Sequence, residues 1–319
     1  MISRRATFAL PLLATPALAQ EAWPSRPIRF VIPFAAGSAT DLRARVFAEP
    51  LSRRLGQPVV VENKGGANGF LASEAVARAR PDGQTFLFTA NTTHASNPAL
   101  FRTLPYDPIK DFEPVALLGT GVLLVVVNKD LPIHSMAEFA AASRARQGGL
   151  DVAWGSASSR VAAEMFRTMA DIPMNLVAYR ANPQGLTDVI AGNAQAMFLD
   201  TTTALPQVRA GRVRALAVSS RTRIGILPEM PTVIEAAGLP EYEMVTWNGV
   251  FAPAGTPDAI VQRMSALLME INAEPGIQTR YAQEANTGLG MGAADFGRFV
   301  VADIARWRDV VAKAGIAVE

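Results

Sequence analysis

Short continuous apolar runs recur along this chain, and each is followed by a stretch whose apolar residues fall at helical spacing. Ile28–Ile32 is the first such run and predicts a strand. Leu42, Val46, Phe47, Leu51 and Leu55 then share one helical face, with Asp41 or Thr40 as the N-cap and Gly56 as the stop. Val59–Val61 predicts a second strand, Gly65, Gly66 and Gly69 a turn, and a helix runs on to about Ala79. Pro81-Asp82-Gly83 marks a turn before a third strand at Phe86–Thr89.

A second series of the same kind begins near Val122. The apolar stretch Val115–Val127 contains Gly119 and Gly121 and reads as two short buried strands. Ser135 and Glu138 have capping-box spacing and open a helix. Strands follow at Val152–Trp154, Leu176–Ala178, Ala196–Leu199 and Arg214–Val218. Helices lie between them at Arg160–Met169, Gly185–Ala191 and a segment ending at Gly211. Val245–Phe251 is a strand that leads back to the first series. Three helices close the chain, near Pro257–Asn272, Pro275–Glu284 and Ala293–Ala314.

Continuous strands alternating with helices predict the α/β class, with a mostly parallel sheet flanked by helices in each unit. Two such units joined by two crossings make a hinged clamp: lobe 1 from residues 20–121 plus 249–319, lobe 2 from 122–248. One large doubly wound sheet is the alternative that the pattern leaves open. Ligands of such sheets sit at the carboxyl ends of the strands, facing the helix starts.

Residues 1–19 have the features of a signal peptide: Arg4 and Arg5, an apolar stretch from Ala6 to Leu13, and the small-x-small site Ala17-Leu18-Ala19. The expectation is export to the periplasm, by the Sec or the Tat route. The apolar stretch is too short to span a bilayer, so no membrane insertion is expected once the leader is removed. Those residues hold two of the 30 basic side chains and none of the 28 acidic ones, so the remaining chain is balanced at 28 of each. A neutral balance argues against a nucleic-acid partner, which needs a basic face. With no cysteine there is neither a disulfide nor a thiolate ligand.

The loop Phe34-Ala35-Ala36-Gly37-Ser38-Ala39-Thr40-Asp41 joins the first strand to the first helix. Its small residues let backbone N–H groups approach a ligand, and the helix start favours an anion. Gly155-Ser156-Ala157-Ser158-Ser159 is its counterpart in the second series. Each loop serves equally well as a plain capped turn. Thr92 and Thr93 follow the third strand at the same end of the sheet, while His94 reads as a structural hydrogen bonder. His94 and His134 lack metal-ligand spacing, and no nucleophile elbow, Walker A or dinucleotide fingerprint is present. The expectation is a binding protein with no catalytic residues, no metal and no cofactor. Ser158 or Ser159 with His94 as base would make it a secreted hydrolase.

The chain resembles a family over nearly its whole length. Trp23-Pro24, Pro27-Ile28-Arg29, Pro33-Phe34, Gly37 and Asp41 look like the opening of the Bug (TctC-like) proteins, periplasmic receptors of tripartite tricarboxylate transporters. Leu55-Gly56-Gln57, Pro81-Asp82-Gly83, Leu104-Pro105-Tyr106-Asp107, Trp247-Asn248-Gly249 and Ala252-Pro253-Ala254-Gly255-Thr256-Pro257 continue the match in order. The resemblance implies a two-lobed periplasmic-binding-protein fold. It implies a small organic acid as ligand (a di- or tricarboxylate or an aromatic acid), the membrane components of such a transporter as partners, and a monomer. A receptor feeding a membrane sensor kinase would use the same clamp. The family's binding loops fall on Phe34–Asp41 and Ser156–Ser159, with Tyr179 and Asp200 also facing the cleft. The chain departs from the family at Ser38 (usually a second glycine), at Arg160 (commonly His) and at Ala178-Tyr179-Arg180-Ala181 (usually Pro-Tyr-Lys-Gly).

Overall fold

The computed structural model describes residues 23–319, so the leader read at residues 1–19 lies outside the described residues. In chain order the first half contains β1 (Ile28–Ile32), α1 (Ala39–Leu55), β2 (Val59–Asn63), α2 (Phe70–Ala77), β3 (Thr85–Ala90) and α3 (Asn97–Leu100). β4 (Phe112–Asn128) follows, then α4 (Met136–Ala145), β5 (Leu150–Trp154), α5 (Ala157–Met169), β6 (Met174–Ala178), α6 (Asn182–Ala191) and β7 (Ala196–Asp200). The chain ends with α7 (Thr201–Arg209), β8 (Val213–Val218), α8 (Val233–Ala237), β9 (Val245–Pro253), α9 (Asp258–Asn272), α10 (Pro275–Gln283), β10 (Met291–Gly292) and α11 (Ala293–Lys313).

The expected α/β class is what the chain adopts, in a curled ten-stranded sheet ordered β2-β1-β3-β9-β4-β7-β5-β6, with β8 and β10 also on β4. The outer strands are parallel: β2, β1 and β3 at one end, β7, β5 and β6 at the other. Around β4 and β9 the pairing is antiparallel, which refines the expectation of mostly parallel sheets. The reason is topological: a chain that leaves one half and returns must run back along its own path.

β4 is one strand of 17 residues where two were expected. Its first part pairs with β9 through Val122, and its last part pairs with β7 and β8 from Leu123 onward. Gly119 and Gly121 do not break it. They make room for the segment Asn286–Thr287, which lies against β4 through paired bonds between Thr120 and Thr287 (2.9 Å each). A Cβ at Gly119 would stand 2.5 Å from the Thr287 carbonyl oxygen. Both glycines therefore serve close approach rather than a turn.

Each half builds its own aromatic core. Phe30, Phe47 and Phe88 pack in the first, with Phe30 and Phe88 rings 5.5 Å apart. Phe139, Phe166 and Phe198 pack in the second, at 5.8 and 5.9 Å. All six are fully buried, and each such burial stabilises by about 1.5–3 kcal/mol.

The helix starts differ in detail from expectation. Ser38, not Asp41 or Thr40, is the N-cap of α1, and its hydroxyl accepts the Asp41 N–H. α5 starts at Ala157 with Ser156 as N-cap, so Ser158 and Ser159 lie in its first turn. α6 starts three residues earlier than read, because Pro183 supplies a preset φ at its opening. At α4 the Glu138 carboxylate accepts from the His134 N–H rather than completing the box with Ser135. A complete capping box occurs instead at α8, between Thr232 and Glu235.

Candidate functional site

The carboxyl ends of β1, β3 and β5 and the starts of α1, α5 and α6 border one cleft of about 770 Å³. Phe34, Ala36, Ser38 and Thr92 line it from the first half, and Ser156 and Tyr179 from the second. Ala39, Thr40, Ser158 and Asp200 lie deeper, in a chamber of about 40 Å³ at the floor. The structure thus brings ten of the fifteen expected residues to one connected space.

The other five line neither cavity. Gly37 adopts φ 78°, a left-handed turn that aims its N–H at Asp41 Oδ2 (2.9 Å). Asp41 is buried behind the loop, where its carboxylate also accepts from Asn63 Nδ2 (2.9 Å) and Arg45 Nε (3.1 Å). Burial opposes its charge, but the bonds from Arg45, Gly37 and Asn63 outweigh that cost and hold its carboxyl below the usual range. Its task is to brace the loop. Thr93 is fully buried and bonded to Thr89 Oγ1 and His94 Nδ1, each at 2.8 Å. Ala157 and Ser159 are buried in α5, where Ser159 Oγ donates to the Phe198 carbonyl (2.6 Å).

Several lining residues were not singled out by sequence. Asn182, in the first turn of α6, ties the second-half loop together. Its Oδ1 accepts from the Gly155 N–H (2.9 Å) and its Nδ2 donates to Ser156 Oγ (3.2 Å). Asn248 on β9 donates to Thr40 Oγ1 (3.2 Å) in the floor. Asn91 directly follows β3 and donates to Ser158 Oγ across the two halves (3.0 Å). The signal that was available is the Asn-Pro pair at Asn182-Pro183, a helix-opening sequence.

Apart from Lys64 and Arg180, the cleft is lined by uncharged residues. No lining residue of its first-half wall other than Lys64 is cationic, and Arg180 stands exposed at the second-half edge. Arg160 is turned away from the cleft: its Nη1 pairs with Glu319 Oε1 (2.6 Å), and its guanidinium lies 5.3 Å from the Trp154 ring centre. Tyr179 keeps its ring in the wall while its hydroxyl donates to Asp188 Oδ2 (2.8 Å). Such a surface suits an anion held by oriented N–H and O–H groups at helix starts.

A serine–histidine pair is not assembled. Ser158 bonds to Asn91 and Ser159 to Phe198, while His94 bonds to Thr93 and stacks on Phe251 at 3.8 Å. Burial lowers the His94 pKa to about 3. Among the described residues no cluster of three His, Asp or Glu side chains could hold a metal ion, and no helix is long and apolar enough to cross a membrane.

Residues 43–316 match the family model described as tripartite tricarboxylate transporter family receptor. A UPF0065 protein from the tcbD-tcbE intergenic region of Pseudomonas sp. (strain P51) is 35% identical over 298 residues, covering 91% of this chain and 87% of its own. Protein BugT of Bordetella pertussis is 30% identical over 298 residues, covering 92% and 91%. Among solved structures, R. palustris Rpa4515 with adipate is similar at a TM-score of 0.89 and 33% identity, over 92% of this chain and 99% of that one. MatC (Rpa3494) from Rhodopseudomonas palustris with bound malate is similar at 0.84 and 32%, over 91% and 100%.

Proposed function

The chain belongs to the receptor family of tripartite tricarboxylate transporters, and from that premise we propose that it captures a small organic carboxylate between two lobes in the periplasm and delivers it to such a transporter. The observation that carries this reading is the meeting of three helix starts, at Ser38, Ser156 and Asn182, on one cleft lined from both halves. The ligand's charge is met by backbone N–H groups and hydroxyls, not by buried cations. The neighbours solved with adipate and with malate support a dicarboxylate. No cofactor enters this function.

In this reading the lobes are residues 20–121 with 249–319, and residues 122–248. The first crossing runs along β4. The return crossing runs along β9, and the passage of pairing from Ser219 at Met244 to β4 at Val245 supports a crossing in this segment. Capture works by population shift: a ligand that touches both walls favours the closed arrangement. Residues 1–19 act as the export leader, and the mature chain works as a monomer.

Titration calorimetry with adipate, malate and nicotinate, paired with small-angle scattering, tests this. Saturable binding with a smaller radius of gyration is the expected result. No saturable binding to any carboxylate would overturn it.

A further inference from the structure

The cleft floor narrows into the chamber of about 40 Å³, room for one carboxyl group or one to two waters. It shares Phe34, Ser38, Thr92, Ser156 and Asn182 with the cleft above, so it is the inner end of the same space. Asp200 is the one charged side chain in its wall. It occupies the N-cap of α7, where a carboxylate ordinarily accepts a backbone N–H, yet it makes no capping bond. Its carboxyl faces the chamber instead, within reach of Asn182 and Thr246.

We propose that Asp200 determines the ligand class at this inner end: it takes the inner carboxylate of a dicarboxylate while itself neutral, donating one O–H···O hydrogen bond, so that one proton enters from solvent with each ligand. This rests on the carboxylate-receptor reading above. Two ionised carboxylates facing each other in so small a space, with no cation between them, would repel strongly. Neutralising Asp200 removes that repulsion and turns it into a donor.

Every element packed round the chamber presents neutral groups to Asp200. α1 contributes Thr40, with Ser38 as its cap, and the segment after β3 contributes Asn91 and Thr92. Ser156 and Ser158 face it from α5, Asn182 from α6, Thr203 from α7, and Thr246 and Asn248 from β9. Leu123 pairs with it from β4. Behind these walls, Asp41 is held by Arg45 and Asn63, and Glu284 by Arg43 (2.8 Å) and Thr202. Burial already pushes the Asp200 carboxyl up to about 6, so near neutral pH the proton costs about tenfold in affinity. An ammonium is the competing partner for an ionised Asp200. The α1 and α5 starts, both positive ends aimed at this space, disfavour it.

Calorimetry of adipate and malate on the whole protein, in buffers of differing ionisation enthalpy at pH 7.5, reads the protons taken up. About one per ligand is expected, with affinity falling roughly tenfold per pH unit between pH 6.5 and 8.5. Asp200→Asn should bind without proton uptake and with a flat profile over that range, and Asp200→Ser serves where the first variant does not fold. Dicarboxylate binding without proton uptake in the wild type would overturn the inference and leave the receptor reading standing. So would affinity for aspartate that rises with pH. Absence of all carboxylate binding would remove both.

Discussion

Asn91 and Ser158 bridge the two halves of the molecule at the cleft floor: Asn91 Nδ2 donates to Ser158 Oγ at 3.0 Å, and both are buried. Asn91 directly follows β3 and Ser158 sits in the first turn of α5; with Ser158 Oγ also donating to Asn91 Oδ1 (3.3 Å), this pair ties the two walls of the site. Asn91→Ala leaves the buried Ser158 hydroxyl without this partner, a cost of about 1–3 kcal/mol. Urea denaturation should show a lower midpoint, and scattering of the ligand-free protein a larger radius of gyration. Unchanged values in both would show that the bridge carries no weight.

Ser156→Asp separates folding from binding. Asp caps a helix about as well as Ser, so α5 should form and the melting temperature should stay near wild type. The added negative charge stands in the cleft wall, where it repels an anionic ligand. Calorimetry should show dicarboxylate affinity reduced at least a hundredfold. Wild-type affinity would place the grip elsewhere.

His94 makes the protein acid-sensitive. Its folded pKa of about 3 lies below the ordinary 6.5 because burial disfavours the charged ring. Between those values the unfolded chain holds more protons than the folded one, so stability falls as pH drops from about 6.5 towards 3. The loss is on the order of 3–5 kcal/mol. His94→Phe keeps the stack on Phe251 and leaves Thr93 its bond to Thr89. Melting curves of that variant from pH 7 to 4 should decline less than those of the wild type.

Asp200 acts in the opposite sense. Its folded pKa is raised by burial, so the stability it contributes is present at low pH and lost as pH rises through about 6. At pH 8, Asp200→Asn should be more stable than wild type by about 3 kcal/mol, with most of the gain gone at pH 4. Thermal melts at the two pH values check this.

Arg180 stands exposed at the cleft edge, and among the described residues it forms no salt bridge. Arg180→Ala should slow ligand association severalfold at low ionic strength, with the difference shrinking in 0.5 M salt. Stopped-flow fluorescence measures both.

Local patterns made the fold legible. The run Ile28–Ile32 is β1 as read, because its buried residues Ile28 and Phe30–Ile32 are all apolar and only the exposed Arg29 interrupts them. The helix after Val152–Trp154 is legible from its apolar spacing, although it opens at Ala157 with Ser156 as cap rather than at Arg160. Gly119 and Gly121 misled because a glycine in a strand reads as a break. Its actual purpose, room for Asn286–Thr287, depends on a segment over 160 residues away. Ser38 displaced Asp41 as the cap for a similar reason: Asp41 is held by Asn63, a partner on another strand. Asn91 stood beside the threonines in the sequence, but its bond to Ser158 exists only once two halves meet. Asp200 had no motif of its own and came forward through family resemblance alone.

β9 lies between β3 and β4 in the first-half sheet, although it comes from residues 245–253. The amino-terminal third of the chain therefore cannot seal its own sheet as it leaves the ribosome. Its central gap waits for a strand made when most of the protein already exists, and such long-range closure is slow. The binding half that holds Phe34 and Ser38 should become protected from amide exchange only after that late strand docks.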